Sequence, residues 1–182
     1  MSAPKKDMKY FEQRLSGGHH NSLGNTVEVF EEVLKDKSLV QHIYNCYYSE
    51  DEVVRLRVSS VMKRLALEDK SLVLPYLDGL IKDISKIDQA STQWTLAILF
   101  KILANEISIE QKKSATAIMI ENLKHHNDWI VINTTMEVLF IWAKKDNWIL
   151  SFLEKELPKH AEDTRKSISN RAKKYIAALE KR

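Results

Sequence analysis

Apolar residues recur along this chain in register at intervals of 36 to 40 residues, a pattern that calls for an array of like units rather than one irregular core. Aligning the last apolar position of successive amphipathic segments gives Leu65, Leu103, Ala143 and Leu179, which stand 38, 40 and 36 residues apart. Val61, Leu99, Leu139 and Tyr175 then form a second column, and Val58, Leu96, Met136 and Ala172 a third. Within a segment the spacing is helical: Val54, Val58, Val61, Met62 and Leu65 fall at i, i+4, i+7, i+8 and i+11, one stripe at 3.6 residues per turn. Four Gly and three Pro are too few breakers for the reversals of a strand-and-turn protein. The expected class is all-α.

Each first helix of a pair is entered near an acid, Asp51, Asp88, Asp128 or Asp163, which suits the positive end of a helix dipole. Second helices are predicted over 70–84, 110–124 and 147–159, a divergent first pair over 26–35 and 38–48, and an unpaired closing helix over 164–181. Ser49, with Glu52 three residues on, reads as a capping box. Pro75 sets the start of its helix near Leu74, because proline is tolerated best in a first turn. The segments around Leu99 and Leu139 are apolar on nearly every side, as inner units flanked by neighbours should be. The closing helix has one stripe, Ile168, Ala172, Tyr175, Ile176 and Leu179, backed by Lys166, Arg171, Lys173, Lys174 and Lys181, the pattern of a cap. Residues 1–25 read as a short helix and a flexible link, and 26–182 as about four helix pairs plus that cap.

Asp51-Glu52-Val53-Val54-Arg55 resembles the acidic, apolar and basic pattern that starts one helix of a HEAT repeat, and Leu74-Pro75-Tyr76-Leu77 resembles the Leu-Pro that opens the other. Gln93 and Asn133 stand where Arg55 stands in the aligned register. The resemblance to the HEAT-repeat family of ARM-like α-solenoids implies a right-handed α-α superhelix of stacked helical hairpins. It also implies a scaffold, with the second helices lining a concave surface for a protein partner or, in some members, nucleic acid.

The usual catalytic and phosphate-binding motifs do not occur in the sequence. There is no glycine-rich phosphate loop, HExxH, CxxC or GxSxG, so no catalytic residue, cofactor or metal site is assigned. His19 and His20 sit beside glycines as a mobile polar loop, His125 and His126 end a helix, and His42 and His160 have no obvious partner in sequence. Cys46 reads as a small buried hydrophobe. A single cysteine, no leader or C-terminal sorting signal, and no apolar run of about 20 residues lead to the expectation of a cytoplasmic chain with no membrane span.

Two sets of residues carry the functional expectations. For a protein partner they are Tyr76, Lys113, Ile120, Lys124 and Trp148: Ile120 lies on one helical stripe between Lys113 and Lys124, and aromatics often anchor interfaces. The alternative is nucleic-acid binding related to DNA alkylation repair glycosylases, HEAT-like proteins that place an Asp among tryptophans in a basic cleft. Asp128, Trp129, Trp142 and Arg165 match that placement, in the one stretch (128–182) where Lys plus Arg exceeds Asp plus Glu, 11 to 8. The basic residues of the closing helix, taken alone, wrap it instead of forming a stripe.

Overall fold

The computed structural model describes residues 6–19 and 22–181, and these are all-α, with no strand among them. Ten helices follow one another: α1 (Met8–Leu15), α2 (Thr26–Lys35), α3 (Val40–Asn45), α4 (Glu52–Glu68), α5 (Leu77–Lys82), α6 (Ala90–Ile102), α7 (Ile109–His125), α8 (Trp129–Ala143), α9 (Asn147–Ala161) and α10 (Lys166–Leu179). They fall into two compact units, Met1–Ile107 and Ser108–Arg182. The division lies between α6 and α7, which the period groups as one pair. Of the adjacent histidines near the start, His20 lies outside the described residues.

The three aligned columns are core. Eleven of their twelve members are buried, and only Leu179, at the end of the last helix, is half-buried. In the first unit α4 packs against α1, α2, α3 and α6, and in the second α8 packs against α7, α9 and α10. A single-faced stripe could not serve α8, so Val131, Ile132, Met136, Val138, Leu139 and Trp142 are all buried around its girth.

Two local expectations are corrected. The cap of α4 is Asp51, whose side chain accepts from the Val53 N–H at 2.8 Å, whereas the Ser49 hydroxyl donates to Glu12 Oε1. A complete capping box stands instead at α7, where Ser108 and Gln111 satisfy each other's backbone. The helix predicted over 70–84 is broken into short 3-10 turns around α5, with Pro75 inside the turn Leu74–Tyr76. Gly79 keeps its place in α5 because a Cβ there would stand 2.1 Å from the Tyr44 hydroxyl, leaving no room for a side chain.

The link after α1 is held by one buried side chain. Arg57 of α4, 3% exposed, directs its guanidinium at the carbonyls of Leu15, Ser16 and Gly17 at 2.7, 3.1 and 2.6 Å, and reaches those of Ser22 and His19 at longer range. Gly24, at φ +50°, lies so close that a Cβ would stand 2.7 Å from Arg57 Cζ. Carbonyl dipoles replace the water that the cation loses, and the planar fork suits several acceptors at once. Arg57→Met should therefore lower unfolding free energy by about 2–4 kcal/mol in urea titration, since it orphans the buried Leu15 carbonyl and removes the donor of its part-buried neighbours. Limited proteolysis should then cut faster within residues 16–24.

Candidate functional site

α7 and α9 both rest on α8, and a pocket of about 350 Å³ lies between their N-terminal ends. Ile109, Lys112, Lys113 and Thr116 come from the first two turns of α7; Asp146 stands at the N-cap position of α9 without a side-chain cap hydrogen bond, and Trp148 and Ile149 come from its first turn. The site is open because the two side chains framing it are apolar yet largely in water: Ile109 is 75% exposed and Trp148 51%. Such exposure is unusual for residues of that size within one small patch.

The charges around the pocket are internally paired. Lys112 Nζ lies 2.6 Å from Asp146 Oδ2 and 5.3 Å above the buried Trp142 ring, so one ammonium ties α7 both to the start of α9 and to the end of α8. Lys113 Nζ stands 3.5 Å from Glu110. Further along α7, Lys124 Nζ lies 5.5 Å above the ring of Phe152 on α9.

The structure brings together part of the expected partner set. Lys113 and Trp148 line this pocket, and Lys124 and the half-buried Ile120 continue along the same helix. Tyr76 belongs to the other unit and stacks on Tyr44 at 4.9 Å between centroids, where burial pushes its phenol pKa up. Ile109, Lys112 and Asp146 were not singled out from sequence. A heptad-like reading of α7 would have included Ile109, whereas the Lys112–Asp146 pair, 34 residues apart, becomes visible only once the helices are packed.

The alternative set separates into two places. Asp128 Oδ1 accepts from the Ile130 and Val131 N–H groups at 2.8 and 3.0 Å, capping α8, and Trp129 beside it is 52% exposed. Arg165 donates to the Asn127 carbonyl at 2.5 Å and to both oxygens of Asp163, which its guanidinium holds down at a pKa of about 2. Trp142 stands 13 residues further along α8, about 20 Å at 1.5 Å per residue, and is buried.

Cys46 is fully buried, with Sγ 3.2 Å from the His42 carbonyl, and burial pushes its thiol up to about 12. Among the described residues no cluster of three or more His, Cys, Asp or Glu could hold a metal ion, and no helix is long and apolar enough to cross a membrane. Glu156, one turn earlier on α9, has a carboxylate oxygen 3.9 Å from the buried His160 Nε2, beyond hydrogen-bond reach. Neither a protein-family model nor a curated protein matches this chain.

His160 yields a pH dependence with a definite sign. Burial pushes its pKa below the ordinary 6.5, against the pull of Glu156, Asp163 and the Leu123 backbone and with a small push from Arg165. Because the folded value is the lower one, the stabilising contribution is complete above pH 6.5 and is lost as pH falls through the folded pKa. Urea unfolding between pH 8 and 5 should show stability falling on the acid side, by at most about 1.4 kcal/mol per pH unit for this group. His160→Gln should flatten that part of the curve; an unchanged slope would show that other groups control it.

Proposed function

We propose that the packed helix pairs are HEAT-like repeats stacked in a right-handed array, and that the protein is a non-enzymatic scaffold binding a protein partner through the face built by α7 and α9. The observation that carries this reading is the pocket framed by exposed Ile109 and Trp148. An apolar anchor beside a large aromatic is how interface hot spots are composed, and the paired charges around it form a polar rim.

Repetition in the polar contacts supports the repeat reading. In the first unit Lys37 pairs with Asp69, Arg55 with Gln89 and Lys70 with Glu106, at separations of 32, 34 and 36 residues. In the second, Lys112 pairs with Asp146 and Arg171 with Glu137, 34 residues apart in each case. Side chains thus reach repeatedly across one unit of sequence, close to the 36 to 40 residues of the apolar columns. At the register of Arg55, Gln93 donates to the carbonyls of Ser85 and Ile87 and Asn133 to that of Trp129. The residue type changes, yet a donor to a nearby backbone carbonyl is retained.

The test is capture of binding proteins on the immobilised full chain, wild type against Ile109→Asp, Trp148→Asp and the double variant. A partner using this pocket should survive high salt and be weakened at least about fivefold by either substitution, each removing at least about 1 kcal/mol. Capture unchanged in the double variant would reject the site. The nucleic-acid alternative, favoured by the exposed Trp129 next to Asp128 and Arg165, predicts instead salt-sensitive binding of labelled duplex DNA that Trp129→Ala and Arg165→Ala abolish.

A further inference from the structure

On another side of α8, a second groove of about 630 Å³ runs against α10, within the roughly 300–1,000 Å³ common for binding clefts. Its apolar floor holds Ile141 with Phe140 and Tyr175, whose rings stack at 4.1 Å and are nearly parallel. Around the floor stand Lys144 just past the end of α8, and Arg171 and Lys174 on α10. Glu137 is the one carboxylate in the lining, and it accepts a hydrogen bond from Arg171 Nη1 at 2.9 Å. A guanidinium carries five N–H donors, so that bond leaves Arg171 with capacity for an incoming anion.

We propose that this groove docks an acidic, apolar segment of a partner protein, in which carboxylates flank an aliphatic or aromatic side chain. The apolar side chain packs on the half-buried Ile141 beside Phe140, over whose ring Lys144 Nζ lies at 5.7 Å, while the carboxylates meet Lys144, Arg171 and Lys174. The proposal shares with the scaffold reading only the assumption of a protein ligand, and it uses a different groove. Nucleic acid fits less well for two reasons. Three cations neutralise about three phosphates, a salt slope near −3, where sustained duplex binding draws on about 6–10 contacts. The two rings are also stacked on each other, and Tyr175 is buried, which leaves little aromatic face for a base.

The experiment is fluorescence anisotropy of the full chain with a fluorescein-labelled decapeptide of alternating glutamate and leucine. A peptide with lysine in place of glutamate and a labelled oligothymidine serve as comparisons. The glutamate peptide should bind with Kd on the order of 10 μM and the lysine peptide at least about tenfold more weakly. Lys174→Glu and the double variant Arg171→Glu/Lys174→Glu should weaken the glutamate peptide about tenfold or more, with circular dichroism unchanged, while Trp148→Asp leaves it as in the wild type. The double variant should gain binding of the lysine peptide, which a merely structural role for these side chains would not produce. Undetectable peptide binding at millimolar protein, affinity indifferent to the charge reversals, or tighter binding of the oligothymidine would each overturn the proposal. Loss of binding with Trp148→Asp would instead assign the peptide to the pocket between α7 and α9.

Discussion

The second unit depends on the burial of α8. That helix is covered by α7, α9 and α10, and a helix covered from three directions has little polar face to offer, so its sequence is apolar around most of its circumference. The same geometry creates the surfaces that remain. α7 and α9 meet α8 rather more than each other and leave a gap at their starts, whereas α9 and α10 also pack together. α10 leaves another where the end of α8 emerges. Both grooves follow from using one apolar helix as the shared support, and the first unit repeats the principle with α4.

Most of the helices could be read from sequence because burial imposes a period. The columns through Leu65, Leu99 and Met136 align correctly since each position faces the same kind of neighbour in its own unit. What periodicity could not provide was the stretch over 70–84. There the apolar spacing persists, but Pro75 removes a donor, and short 3-10 turns flank α5 on both sides. A five-residue identity in the sequence is a sharper signal. Asp36-Lys37-Ser38-Leu39-Val40 is repeated as Asp69-Lys70-Ser71-Leu72-Val73, and the two copies fold alike. In each, the Asp accepts from the Ser N–H and hydroxyl while the Lys pairs with an acid one unit on. That identity of five residues marks the start of a 3-10 turn, not of a helix, which a search for helical stripes passes over.

The candidate site was legible where it lies on one helix and illegible where it needs two. Lys113 and Trp148 emerge from exposure arguments made on α7 and α9 separately, whereas Lys112 and Asp146 acquire meaning only from each other. The basic closing helix shows the same limit. Taken alone, its cations wrap the cylinder; packed on α8, Arg171 and Lys174 share a groove with Lys144, and the remainder face solvent. A charge pattern therefore acquires direction from the neighbouring helix rather than from its own period.

The two grooves differ most in how their charges are disposed, and this separates the kinds of ligand they suit. Around the pocket between α7 and α9, Lys112 faces Asp146 and Lys113 faces Glu110, so the net field is small and binding there would come from covering Ile109 and Trp148. Apolar contact of that kind is little affected by ionic strength. The groove between α8 and α10 has three cations against one carboxylate over an aromatic floor, so a ligand there gains from charge as well as from burial. Its association would quicken at low salt and slow as the Debye length shrinks towards about 8 Å at physiological ionic strength. One apolar helix thus supports two surfaces that respond to salt in opposite degrees, and a partner using both would be steered by the second and held by the first.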